Sequence, residues 1–213
     1  MELQGKRVAF LGDSITEGVG ASEKQYTYVS QFALLSGAQV DNFGVSATRI
    51  ARRRIPHEIP SWNDCFLDRA ERITDDYDVI VVFGGTNDYA QANPNELGTA
   101  EDTDEHTFYG ALKSLMAKLI TAHPYATVVF ATPIHRAKEF DYGLPNLCLR
   151  DYVNAVKEVA ESYSIPVIDL WKTAGIQARV PAVMEEYLAD GLHPNDRGHR
   201  RIAERMVAFL RAL

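Results

Sequence analysis

The sequence predicts an α/β fold, a parallel sheet covered on both faces by helices, and three observations carry that expectation. Five short stretches of apolar and β-branched residues recur along the chain. The segments between them place apolar side chains three and four residues apart, the spacing of one helix face. Each stretch reads as apolar on both sides, which is the habit of parallel strands buried beneath two helix layers.

The elements follow in chain order. Residues 7–11 form the first strand and run into the turn GDSIT at 12–16. Tyr28, Phe32 and Leu35 share one face of a helix that Gly37 suits as a left-handed stop. Residues 38–43 are the second strand, leading into NFGVS at 42–46, and residues 64–74 read as helical. The third strand, 79–83, opens into GGTND at 84–88. Phe108, Leu112, Leu115 and Leu119 line a longer helix that ends before Pro124, and residues 127–131 are the fourth strand. Tyr152, Val156, Val159 and Tyr163 mark another helix, 166–168 the fifth strand, and Ile202, Met206, Phe209 and Leu210 the last helix, capped at Asn195. Two polar stretches, 89–104 and 133–147, fit neither pattern. Both follow strand ends, where open α/β sheets bind ligands, so they are expected to wall a site.

With 213 residues the chain can bury a sizeable core without metals or disulfides, and residues 1–213 are expected to form one domain. The formal charge of −7 works against a polyanionic partner, so nucleic acid is not expected to bind. Arg49, Arg52, Arg53 and Arg54 are a local exception: they either hold an anionic substrate group or open an exposed helix facing some of the acids. Cys65 and Cys148 lack CxxC spacing and a partnering histidine, so neither a metal knuckle nor a redox motif is expected. No apolar run is long enough to span a membrane. The opening MELQGKRVAFLGDS leads from two positive charges into a glycine turn rather than a cleavage site, which points to a cytoplasmic protein.

Three sharp turns thus follow three strands, and a fourth motif, DGLHPN at 190–195, precedes the last helix. Singly, each has a plain structural reading: Ser14 as a helix cap, Asn87 as a turn residue, Gly44 as a source of positive φ, Asp190 and His193 as a polar loop. Together they supply a hydroxyl, an imidazole, a carboxylate and an amide to one sheet edge, the set that acyl transfer requires.

On these motifs the chain resembles the SGNH (GDSL-type) hydrolases over nearly its whole length. The resemblance implies a three-layer α/β/α sandwich with a five-stranded parallel sheet, similar to flavodoxin. It further implies Ser14 as nucleophile, with Asp190 and His193 completing the triad, and an oxyanion hole built from Ser14, Gly44 and Asn87. One position departs from the pattern. Many members read N-x-G-x-S-G in the second block, and Ala47 stands here at the second glycine.

The chemistry explains the residue types. A serine hydroxyl needs a base as it attacks, His193 is that base, and Asp190 fixes its tautomer and stabilises the imidazolium. Oxyanion donors meet the charge that develops on the carbonyl oxygen. No metal or organic cofactor is expected. Asp13 and Asp88 read as structural turn carboxylates. Trp62, Tyr89, Phe140 and Tyr142 fall in or near the long loops and are candidates to stack on a sugar ring.

The expected function is therefore hydrolysis of short-chain esters, chiefly acetyl esters, through an acyl-enzyme on Ser14, with an acetylated carbohydrate as a fitting small-molecule substrate. A lysophospholipase or thioesterase with the same triad is the alternative, because the motifs encode acyl transfer and not the leaving group. A non-catalytic flavodoxin-like binding module is the rival from another class. GGTND lacks the P-loop lysine and the G-x-G-x-x-G spacing that such a module would carry.

Overall fold

The computed structural model describes residues 1–91, 93, 95–140 and 147–213. Five parallel strands, β1 (Arg7–Gly12), β2 (Gln39–Gly44), β3 (Val79–Phe83), β4 (Thr127–Ala131) and β5 (Val167–Ile168), lie in the order β2-β1-β3-β4-β5. The helices are α1 (Ser14–Glu17), α2 (Tyr28–Ser36), α3 (Phe66–Arg69), α4 (Thr86–Ala90), α5 (Phe108–Ala122), α6 (Leu149–Ser162), α7 (Leu170–Thr173), α8 (Pro181–Tyr187) and α9 (Asp196–Ala212).

Alternation along the central strands builds two cores, one on each face of the sheet. Val8 and Phe10 of β1, with Val79, Val81 and Phe83 of β3, pack under α2 and α9. Ala9, Leu11, Ile80 and Val82 point the other way, under α3, α5 and α6. The result is a three-layer α/β/α sandwich. Burying a side chain of this kind contributes roughly 1.5–3 kcal/mol, so strands that are apolar on both faces demand both helix layers.

The strand positions match the sequence expectation to within a residue, and two helix ends match as well: α2 stops at Gly37 with φ 73, and Asn195 caps the start of α9 by accepting from the N–H groups of Arg197 and Gly198. Five expectations need correcting. β2 is not buried on both faces, because it is the sheet edge and Gln39, Asp41 and Asn42 are exposed. The helix expected over 64–74 is one turn, α3, followed by a 3₁₀ turn at Ala70–Arg72. α4 occupies the start of the stretch read as irregular, and α8 lies where no element was expected. Residues 49–54 form no helix. Among the described residues no helix is long and apolar enough to cross a membrane.

Candidate active site

Register sets the site. Gly12 at the end of β1 pairs with Gly44 of β2 on one side and Phe83 of β3 on the other, so three turns open at one level of the sheet edge. This is where the strand order reverses, the usual ligand crevice of such sheets. Gly12 must be glycine: a Cβ there would stand 1.8 Å from Thr16 Oγ1 and 2.9 Å from the Phe83 carbonyl oxygen. With that space free, the chain turns at once into α1. Asp13 caps the helix through the Ile15 N–H at 3.0 Å, and Ser14 occupies its first position.

Ser14 Oγ lies 3.0 Å from His193 Nε2, and His193 Nδ1 lies 2.7 Å from Asp190 Oδ2. The other carboxylate oxygen of Asp190 accepts from the backbone N–H groups of Leu192 and His193, at 2.9 and 2.7 Å. Burial acts to raise the Asp190 pKa, but these hydrogen bonds outweigh it and hold the carboxyl below its ordinary value. The loop is pinned on both sides: Ala189 donates to the His193 carbonyl at 2.8 Å, Asn195 to the carbonyl of Tyr187 in α8 at 3.0 Å, and Ala137 to that of Gly191 at 2.8 Å. The three residues expected to act together form one hydrogen-bonded line.

Asn87, in α4, donates its side-chain amide to the Thr48 carbonyl at 3.0 Å, which binds the third turn to the loop after β2. Its second amide N–H is available for a further acceptor. Gly44 differs from the expectation. Its N–H donates to Asn42 Oδ1 at 2.8 Å, and its φ is not positive. What it supplies is absence of bulk, since a Cβ would stand 2.2 Å from the Glu17 backbone nitrogen and push α1 off β2. The residue with positive φ in this loop is Ala47, at 62°. Ser46 donates its N–H to Glu17 Oε2 at 2.7 Å and Val45 to the Gly12 carbonyl at 3.1 Å, so residues 45 and 46 are tied to the two ends of the first turn and its helix α1.

The acids read as structural make structural bonds. Burial pushes the Asp13 carboxyl up to about 6, against the Ile15 N–H and the nearby Arg69. Asp88 is also raised by burial, opposed by Arg49 and by the N–H groups of Ala51 and Ile50 that it accepts at 2.8 and 3.0 Å. Arg49 is itself 2% exposed and pairs with Glu96 at 3.0 Å, so it is neither on a helix nor at the surface. Arg52 pairs with Asp68 and Glu105, and Arg54 with Asp104.

Tyr89 is not a substrate platform. It is fully buried in α4, edge-on to Tyr152 with ring centroids 5.7 Å apart, because the helix turns it into the core. Trp62 is half-buried and stacked on His57 at 4.3 Å, while Phe140 is 55% exposed beneath the Arg179 guanidinium. Tyr142 lies outside the described residues. Arg69 and Thr48, both buried and both bonded around the second turn, were not singled out by sequence. Among the described residues no group of three or more His, Cys, Asp or Glu side chains is placed to hold a metal ion. A cavity of about 550 Å³ lined by Tyr26, Tyr187 and Arg200 includes none of the three hydrogen-bonded residues, so chemistry rather than concavity identifies the site.

A model of the GDSL-like lipase/acylhydrolase family matches residues 10–201. An acetylxylan esterase of Xylanibacter ruminicola is 28% identical over 221 residues, covering 96% of this chain and 43% of the esterase. The chain thus spans less than half the length of that relative. A solved structure from Lactobacillus plantarum is similar at 34% identity and a TM-score of 0.85, over 99% of this chain and 98% of that one. The structure of a possible lipase from Chitinophaga pinensis shares the fold, with a TM-score of 0.72 at 22% identity over 97% of this chain and 98% of its own.

Proposed function

The chain belongs to the family of GDSL-like lipases and acylhydrolases, carboxylic ester hydrolases, and from that premise we propose that it cleaves short-chain acyl esters, chiefly acetyl, through an acyl-enzyme on Ser14. The observation that carries this is the line Ser14 Oγ, His193 Nε2, His193 Nδ1, Asp190 Oδ2, with heavy-atom gaps of 3.0 and 2.7 Å. Both gaps are within reach for proton transfer.

In this mechanism His193 takes the Ser14 proton as the hydroxyl attacks the ester carbonyl, and Asp190 stabilises the imidazolium. The carbonyl oxygen gains charge and is met by the Ser14 N–H and the free N–H of the Asn87 amide, each worth about 3 kcal/mol in the transition state. The third donor we assign to the backbone of Ala47 rather than Gly44, whose N–H is committed to Asn42. His193 then protonates the leaving alcohol and activates the water that frees the acid and Ser14.

Acetyl preference is supported by the likeness to the acetylxylan esterase and by the polar make-up of the second long loop, where Arg136 and Glu139 are buried and Glu139 meets both His135 and Arg179. The same observations favour an acetylated carbohydrate as substrate, with Phe140 as its exposed aromatic contact. Both helix layers pack on one sheet, which supports reading residues 1–213 as one domain. Two free thiols fit a cytoplasmic setting.

A fluorophosphonate probe tests the reaction class. It should label Ser14 and leave Ser14→Ala unmodified; a folded wild-type protein that resists labelling would return the binding-module reading.

A further inference from the structure

Arg69 is 1% exposed, yet its guanidinium is spread over three parts of the chain. Nη1 donates to the Phe43 carbonyl at the end of β2, Nη2 to Thr48 Oγ1 at 2.7 Å, and Nε to the Asp64 carbonyl at 3.1 Å. The Phe66 ring closes one face, 4.6 Å from the guanidinium carbon. A buried cation served by two carbonyls and a hydroxyl is a costly way to fill space, since an apolar side chain of equal volume would avoid the desolvation. Its acceptors suggest what the cost secures. Phe43 and Thr48 bracket the loop that follows β2, and the Thr48 carbonyl is the acceptor for the Asn87 amide at 3.0 Å. Thr48 Oγ1 also donates to the Val45 carbonyl at 2.6 Å, so the threonine is fixed from both sides.

We propose that Arg69 is a positioning residue for ester cleavage: by holding Phe43 and Thr48 it fixes the carbonyl on which Asn87 rests, and so aims the second amide N–H of Asn87 at the oxyanion. This rests on the esterase mechanism above and adds a residue that never touches substrate. The planar fork matters, because three acceptors on separate elements match three nitrogens of one guanidinium and a lysine would reach one of them.

The test measures kcat and KM on p-nitrophenyl acetate, per active site titrated by fluorophosphonate, for Arg69→Met, Thr48→Val, Asn87→Ala and the Arg69→Met/Asn87→Ala double variant. Arg69→Met should lower kcat by about 10²-fold and Thr48→Val by about 10-fold, each with KM within about 2-fold of wild type. The double variant should lose little more than Asn87→Ala alone, since one residue acts through the other. A titrated Arg69→Met with wild-type kcat, a loss confined to KM, or multiplicative losses in the double variant would overturn the proposal. If Arg69→Met does not fold, Thr48→Val decides, and wild-type kcat there overturns it equally. Ser14→Ala separates the two levels: full turnover in that variant sinks the esterase mechanism, whereas Ser14-dependent turnover that is indifferent to Arg69 and Thr48 sinks only this inference.

Discussion

Asp190 holds His193 at two points and its loop at a third, accepting from the His193 ring Nδ1 at 2.7 Å and, through the other oxygen, from the backbone N–H groups of His193 itself and of Leu192. The imidazole therefore presents Nε2 to Ser14 in one tautomer. The Asp190 side chain is nevertheless 54% exposed, so water screens its charge and takes over part of its role when it is altered. Ser14→Ala and His193→Ala should each cost about 10⁴-fold in kcat with little further loss when combined, while Asp190→Asn should cost nearer to 10²-fold. Steady-state kinetics on p-nitrophenyl acetate decide the order; wild-type turnover in Ser14→Ala is the outcome that removes the mechanism.

Acyl length is the second prediction. Each methylene of a longer acyl chain gains about 0.8 kcal/mol only if it is buried, and the described part of the second long loop presents the Arg179–Glu139 ion pair, whose arginine is exposed to solvent. On a p-nitrophenyl ester series kcat/KM should peak at acetate or butyrate and drop steeply by octanoate. A peak at eight carbons or longer would favour the lysophospholipase or thioesterase alternative.

Ala47 carries a left-handed backbone, φ 62, at a position that glycine tolerates far better. Ala47→Gly should relieve the strain, offset in part by the greater freedom of glycine in the unfolded chain, and raise stability by up to about 1 kcal/mol. Denaturant midpoints with unchanged slope would measure it. A loss of stability would mean that the alanine methyl packs usefully enough to outweigh the backbone cost.

His199 gives a pH signature. It is wholly buried, its Nδ1 accepts the Tyr28 N–H at 3.1 Å, its Nε2 meets the Val19 carbonyl at 3.2 Å, and burial pushes its pKa down to about 4. The unfolded chain takes up this proton from about 6.5 downward and the folded one does not, so the histidine's contribution is present above that pH and shrinks by roughly 3 kcal/mol on acidification to pH 4. Asp13 runs the other way, because its raised folded pKa favours the protein as it is protonated between about 6 and 3.8. The two trends oppose each other in the wild type. In His199→Gln the histidine's share of the acid loss is gone while the carboxylate trends are unchanged, so between pH 7 and pH 4 its stability should rise relative to wild type; parallel curves would contradict the assignment.

The strands were legible because 79–83 and 127–131 are continuous apolar runs, and a parallel sheet buried on both faces leaves few other uses for them. The exposure of β2 is not legible in the same way, because burial at a sheet edge depends on neighbours that the local sequence does not specify. α8 carries one helix-start signal, Pro181 at its first position, but its apolar face is too short to stand out as a period. At the site, Ser14, Asp190 and His193 stand out because their chemistry is concentrated in short motifs. Arg69 and Thr48 do not, because their meaning lies in contacts across 21 positions of chain, and an arginine inside a helical stretch looks like any solvated one. Gly44 is ambiguous for a related reason: a glycine read from sequence offers both an N–H and a missing side chain, and only the structure shows Asn42 accepting from the first and Glu17 approaching the second.

The hydroxyl and the imidazole that meet at 3.0 Å come from positions 179 residues apart, one just after β1 and the other just before α9. In the proposed mechanism the serine of a chain emerging from the ribosome is therefore idle until the segment carrying His193 has been made and has folded back to the end of β1, with α9 docked against α2. Recovery of turnover during refolding is then a clock for that final docking, read independently of when the helices themselves appear by circular dichroism.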